Sequence, residues 1–274
     1  LNQADIIFEH ITEAVVTRLT AIFYSQDPPA VGPIRSARLI DLELPAMYDA
    51  ALGYSGSSNG VANRLFASDF ASRILGPGAF GYYRTGDTSK PFEHTFYARP
   101  EQLRQSLGEL NRPPEFSGVN MQFTSVPPVG GTAATQIDIN YNWEVVSWTY
   151  DPATNFYYRT AGGAAHVDGN TSEQVRARNI IVPFVNHVDD PTICEQISAQ
   201  GTCQLLSVEI QLWGEGQAVV FRDGQRFEGT WKRSGRNDML TVYDADGNQI
   251  PLQIGNTWVQ LMSIYYANPL SSSP

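Results

Sequence analysis

Lysine is nearly missing from this chain: of its 18 basic residues only Lys90 and Lys232 are lysines, and the rest are arginines. Arginine carries a planar fork that grips carboxylate or phosphate in two-pronged fashion, so the bias is either a site in the making or plain compositional drift. A local arginine cluster decides between them. Basic residues are also outnumbered, for the net charge is −10. No basic face is suggested, which excludes a general nucleic-acid binder, whose affinity comes from neutralising phosphates. No apolar run approaches the roughly 18 residues of a membrane-spanning helix. Even Ala14 to Tyr24 is interrupted by Thr17, Arg18 and Thr20. Cysteine is confined to Cys194 and Cys203, nine positions apart across a polar, turn-forming stretch. That spacing suits a loop-closing disulfide in an oxidising compartment, with free thiols or a metal pair as the alternatives. Zinc would need two further ligands, and only His187 is near in sequence, so no metal site is assigned.

What is present is the composition of a globular chain, 42% hydrophobic and 17% charged. Its texture divides it into an α+β molecule: a mixed α/β domain over 1–112, a linker over 113–135, a β-rich domain over 136–267, and a polar tail over 268–274 expected to fray. In the first part, Ala4 to His10 and Val16 to Tyr24 read as neighbouring strands, although Asp5 to Val15 can also be drawn as a helix. Asp27-Pro28-Pro29 breaks the pattern. Then comes Val31-Gly32-Pro33-Ile34-Arg35-Ser36-Ala37-Arg38, a turn that delivers two arginines around a serine. Helical spacing follows over Leu39 to Tyr48, a short strand over Ala50 to Tyr54, and a glycine-serine loop before helical turns at Val61 to Phe66. Pro100 to Leu110 reads as an amphipathic helix. The linker is rich in Pro-Pro and Gly-Gly, and beyond it short strands alternate with Asp-Gly and Asn-containing turns.

The runs Ala4 to Glu9, Val16 to Phe23, Gly32 to Arg38 and His94-Thr95-Phe96-Tyr97, with later segments such as Gly229-Thr230-Trp231-Lys232 and Gly255-Asn256-Thr257-Trp258, resemble the YerB family of bacterial envelope lipoproteins. That resemblance spans nearly the whole chain and implies two domains, secretion, and a lipid anchor through an N-terminal segment. It also implies that an opening strand precedes Leu1, so that the first domain lacks its first strand here. Two positions depart from the family pattern. Tyr54-Ser55-Gly56-Ser57 stands where a His-Gly-Gly-Ser-like stretch is usual, and Thr95 follows His94 where Asn is usual. The first departure removes a candidate catalytic histidine.

The candidate ligand-binding residues are Arg18, Arg35, Ser36, Arg38, Ser57, Arg84 and His94. Arg18, Arg35 and Arg38 form an anion clamp if they converge near a helix start at Ser36, or they pair internally with Glu9, Asp41 or Glu43. Ser36 is a helix cap or, given a base, a nucleophile. Ser57 belongs to a glycine-serine loop that is either a phosphate cradle or a turn without the spacing of a nucleotide loop. His94 is a base, a stacking residue or a core histidine. His10, His166 and His187 receive no role, and no cofactor is indicated. The expected function is an extracytoplasmic binding protein on the outer face of the cytoplasmic membrane that recognises a phosphate- or carboxylate-bearing envelope ligand or partner protein. The alternative is a phosphotransferase or hydrolase acting on a polyprenyl-linked or glycan substrate, by loose similarity to the LytR-CpsA-Psr phosphotransferases.

Overall fold

The computed structural model describes residues 1–274, the side chain of Val15 excepted. β1 (Ile6–Ile11) and β2 (Thr17–Ile22) form an antiparallel hairpin. A 3₁₀ turn over Leu39–Leu42 leads into α1 (Leu44–Met47), followed by β3 (Leu52–Gly53), α2 (Asn59–Phe66), β4 (Ile74–Leu75), β5 (Tyr82–Arg84), β6 (Phe96–Ala98) and α3 (Pro100–Ser106). The rest is strand: β7 (Thr132–Ala133), β8 (Gln136–Asn140), β9 (Val145–Asp151), β10 (Phe156–Ala161), β11 (Ala164–Ala165), β12 (Arg176–Ala177), β13 (Asn179–Val185), β14 (His187–Ile197) and β15 (Cys203–Ile210). β16 (Gly214–Arg222), β17 (Gln225–Arg233), β18 (Thr241–Tyr243), β19 (Thr257–Gln260), β20 (Met262–Ser263) and β21 (Leu270–Ser273) complete it. The fold is α+β with a mainly-β C-terminal part.

The N-terminal hairpin and the late strand β19 share one sheet, whose main path runs β18-β17-β16-β13-β19-β1-β2. β1 lies parallel to β19, with Ile7 opposite Trp258. Strand alternation explains how one sheet serves two cores. Phe8, Ile181, Val220 and Val259 face one side and pack with Ile40, Leu44, Met47 and Tyr48 around α1. Ile7, Ile180, Val182, Phe221 and Trp258 face the other and meet Ile137, Val146, Trp148 and Tyr157 of a second sheet, ordered β11-β10-β9-β8-β21. Strands buried on both faces read as continuous apolar runs, as β13 does. β14 and β15 form a separate two-stranded arm closed by a Cys194–Cys203 disulfide. Ile193 of that arm inserts into a third cluster with Val61 and Leu65, one helical turn apart on α2.

One expectation is corrected. The tail over 268–274, expected to fray, is ordered: β21 pairs with β8, Leu270 opposite Ile139 and Ser273 opposite Gln136. Leu270 packs against the second core, and backbone pairing, blind to the serine side chains, does the rest.

Between the two sheets sits one carboxylate. Glu9, fully buried on β1, accepts two hydrogen bonds from Arg159 Nη2 at 2.8 and 3.0 Å, one from Trp258 Nε1 at 3.1 Å and one from Gln260 Nε2 at 2.8 Å. Arg159, 4% exposed on β10, also donates from Nη1 to His166 Nδ1 at 2.7 Å and lies over the Trp258 ring. A buried ion pair of this kind is costly to break from one side, because the partner is left charged in a dry interior. Glu9→Gln and Arg159→Met are each expected to lower unfolding free energy by about 3–5 kcal/mol. The double substitution is expected to cost clearly less than their sum, as read from urea midpoints; additive losses would show that the charges are not coupled.

Candidate anion-binding site

The loop over 31–38 is an extended ribbon stitched on both edges. Val31 exchanges backbone hydrogen bonds with Ala98 at 2.8 and 2.9 Å, and Ile34 N donates to Phe96 O at 2.8 Å. On the other edge Ser55 N donates to Arg35 O and Ala37 N to Gly56 O. Gly32 lies under the Tyr97 ring, where an added Cβ would sit 2.5 Å from ring carbons, so only glycine lets the ribbon approach. Residues three apart on an extended chain point to opposite sides, whereas on a helix they share a face. Arg38 is itself extended (φ −131°, ψ 176°), and this separates the two arginines that the sequence placed together.

Arg38 turns inward. Its Nε donates to Glu13 Oε2 at 2.6 Å, its Nη2 pairs with Glu13 Oε1, and its Nη1 donates to Ala37 O at 2.9 Å with Glu195 3.5 Å away. It is a structural pair, not a ligand arm, and none of Glu9, Asp41 and Glu43 supplies its ion-pair carboxylate. Asp41 instead accepts the Arg38 backbone N–H at 2.8 Å, so the turn is capped at Arg38 and Ser36 is not the cap. Ser36 contributes its carbonyl, which accepts from Arg18 Nη1 at 3.0 Å. Among the described residues no hydrogen bond joins the Ser36 hydroxyl to a histidine, which leaves it without the base that a nucleophile requires. Ser57 likewise makes no side-chain hydrogen bond among the described residues. Its neighbour Ser58 caps α2 and donates to Glu195 at 3.0 Å, so the loop reads as a capped turn.

Arg35 turns outward and meets two other candidates on one exposed turn, 91–95. Its Nη1 donates to Glu93 O at 3.2 Å. Arg84 Nη1 donates to Phe92 O at 2.7 Å and to Thr95 Oγ1 at 3.0 Å, with its guanidinium 3.4 Å from the Phe92 ring centroid. Thr95 is thus a receiver for Arg84. His94 is exposed on the same turn. Sequence reasoning did not reveal how unusual these arginines are. Twelve of the sixteen arginines have a carboxylate oxygen within 4.0 Å. The other four, among the described residues, are Arg35, Arg84, Arg99 and Arg178; Arg99 instead stacks over Tyr83, 4.0 Å from its ring centroid, on the opposite face of the β5–β6 hairpin from Arg84.

Arg18 occupies a middle position. Burial, reinforced by Arg38, lowers its pKa to about 10, and Glu13 lies 3.5 Å away. With Arg35 and Ser36 it lines a cavity of about 1160 Å³ bounded by β2, the 30–37 ribbon, β3, α1 and α3. Arg38, Ser57, Arg84 and His94 lie outside that cavity. Beneath Arg18, His10 Nε2 is 3.2 Å from Thr20 Oγ1, which is 3.5 Å from Asp41 Oδ1.

Residues 1–112 match the N-terminal domain, and residues 137–259 the C-terminal domain, of a family described as Protein of unknown function (DUF3048). The chain is 28% identical over 269 residues to YerB of Bacillus subtilis (strain 168), a protein named as a candidate lipoprotein; the match covers 96% of this chain and 76% of that one. The crystal structure of Bacillus subtilis YerB matches with a TM-score of 0.79 at 25% identity, over 100% of this chain and 87% of that chain. The resemblance carried by the arginine ribbon and its companion segments is therefore real.

His10 and Asp41 near Arg18, with His166 beside Arg159, give a pH signature. Burial lowers the His10 pKa to about 3, and burial with the Arg159 field lowers His166 to about 4, both from 6.5. Their stabilising contributions are present above 6.5 and fade as pH falls, because the unfolded chain takes up protons that the folded chain refuses. Asp41 runs the other way: burial raises its pKa from 3.8 to about 6, so its contribution is full below about 4 and is lost as pH rises through 6. Between pH 6 and 4 Asp41 therefore offsets one histidine. Asp41→Asn is expected to steepen the acid loss of stability there by about 1.4 kcal/mol per pH unit. Urea midpoints across that window test it, and an unchanged slope would refute the assignment.

Proposed function

The chain belongs to the DUF3048 family, and from that premise we propose that it is an extracytoplasmic binding protein, held at the membrane by an anchor, that recognises a phosphate-bearing envelope component at the turn over 91–95, where Arg35 and Arg84 meet His94. The YerB relative's name, which speaks of a lipoprotein, supports the placement. One observation carries the binding reading. In a chain of net charge −10, where twelve arginines are matched to carboxylates, Arg35 and Arg84 are held by carbonyls and a hydroxyl alone. Those acceptors orient the guanidinium groups without neutralising them, so the full charge is available to an anion from outside. Exposed Phe92 beside Arg84 offers apolar surface for whatever carries the phosphate. Arg18 and the Ser36 carbonyl hold the ribbon from behind, so Arg35 presents from a fixed base.

The test uses phosphatidylglycerol vesicles, with phosphatidylcholine vesicles as the uncharged control, and inorganic phosphate as a soluble probe. Arg35→Ala combined with Arg84→Ala is expected to weaken binding to both anionic probes by about tenfold or more, the worth of one or two charge-assisted hydrogen bonds. Arg64→Ala, which removes an arginine already paired with Asp190, is expected to leave binding unchanged. Equal binding by the double variant and the native protein would overturn the reading.

A further inference from the structure

The cavity beside β2 is large for a small-molecule site: about 1160 Å³, against about 300–1,000 Å³ for pockets that enclose compact ligands. β2 walls it along its whole length, about 20 Å for six residues, so the space is elongated. Strand alternation gives this wall a gradient of polarity. Arg18, Thr20 and Ile22 are two apart and share the face turned towards α1, since they stand opposite His10, Phe8 and Ile6 on β1. Beyond Thr20 the lining turns apolar. Ile6, Ile22, Ala50 and Met121 pack on the first core from one side, are only partly buried, and face the cavity with the rest of their surface.

Charge separates the two ends further. At the apolar end Asp49, next to Ala50, is held between Arg73 and Arg112, so the charges there are already matched. At the other end exposed Arg35 stands at the mouth and part-buried Arg18 stands inside it. Glu13, 3.5 Å from Arg18, lies outside the cavity and is engaged by Arg38. Asp41, on the cavity wall, is taken by the Arg38 amide. Arg18 is oriented by the Ser36 carbonyl and Arg35 by the Glu93 carbonyl, acceptors that leave both guanidinium charges in place. Burial, then Arg38 and more weakly Arg35, lower the Arg18 pKa to about 10 against the pull of Glu13. An anion between the two guanidinium groups relieves that like-charge repulsion.

We propose that the cavity takes one single-chain anionic lipid, its phosphate between Arg35 and Arg18 at the mouth and its hydrocarbon chain laid along β2 towards Ile22, Ala50 and Met121. This inference rests on the anion-binding reading of Arg35 and names the class of the phosphate-bearing component. An elongated apolar space with one cationic end fits an amphiphile, whereas a compact polar metabolite would leave the apolar end unfilled.

Titration calorimetry with inorganic phosphate, octyl phosphate and dodecyl phosphate as monomers tests it, with octyl glucoside as the uncharged control. Each buried methylene is worth about fourfold in affinity. Dodecyl phosphate is therefore expected to bind at least about tenfold more tightly than octyl phosphate, and octyl phosphate more tightly than inorganic phosphate. Ala50→Trp, which fills the apolar end, is expected to abolish the dependence on chain length and to leave binding of inorganic phosphate unchanged. Arg35→Ala is expected to weaken all three phosphates. Equal affinity of the native protein for the octyl and dodecyl compounds, with inorganic phosphate still bound, overturns this inference alone and leaves the anion-binding reading standing. Octyl glucoside bound as tightly as octyl phosphate also overturns it, because the head group would then play no part. Failure of all three phosphates to bind overturns both.

Discussion

The carboxylate of Glu9 is the constraint around which the two sheets are arranged. A charge with no exposed surface requires an opposite charge and filled lone pairs, and four hydrogen bonds from three side chains on two distant strands meet that requirement. Arg159 comes from the second sheet, Trp258 and Gln260 from β19. Apolar packing alone would allow these layers to slide by a residue, since leucine- and valine-sized surfaces are forgiving. A buried guanidinium nitrogen shared by both carboxylate oxygens is not forgiving, and Trp148 meets Trp258 edge-on beside it with ring centroids 5.1 Å apart. The register of β1 against β19 is thus set by chemistry as well as by burial.

The same economy of charge runs through the whole molecule. Arg233 reaches Glu43, Arg236 reaches Asp69 and Glu43, and Arg73 and Arg112 share Asp49, whose carboxyl their hydrogen bonds and that of the Glu115 amide hold at about 2 against the opposing effect of burial. Several of these pairs join the first hundred residues to the later sheet or to the segment between. The N-terminal elements are short, with α1 only four residues long, and cannot be stable as isolated helices. They are held by packing on the sheet face and by arginine forks, which explains why a chain so poor in lysine uses arginine where fixed geometry is needed.

The sequence was legible where a pattern is local. Strand-length runs rich in β-branched and aromatic residues mark β1, β2, β9, β10 and β16, and the Gly-Pro ribbon with its arginines is conspicuous in the sequence itself. The spacing of Cys194 and Cys203 made a disulfide one of its readings, and the arm closes with it. It was illegible where partners are distant. Internal pairing for Arg38 was foreseen in kind, but Glu13 and Glu195 were not among its expected partners; β14, which brings Glu195 there, is polar and has no strand-like composition. The hairpin at 6–22 was grouped with the first domain by chain order, while its hydrogen bonds lie with the sheet of the last; parallel pairing with β19 joins residues some 250 apart and leaves no local trace.

The ribbon shows how one motif can serve two purposes through backbone conformation alone. Had residues 35–38 been helical, Arg35 and Arg38 would share a face and compete for the same acidic partners. Because the chain is extended and pinned on both edges, Arg38 is committed to Glu13 inside and Arg35 is denied any carboxylate outside. Arg18, from the neighbouring strand, reads the Ser36 carbonyl between them and ties the inward and outward arms to β2. A guanidinium presented to solvent on a long, mobile side chain would bind an anion weakly, since ordering it on binding is unfavourable. Here that ordering is completed in folding by the Glu93 carbonyl, which holds the Arg35 guanidinium in place without neutralising it.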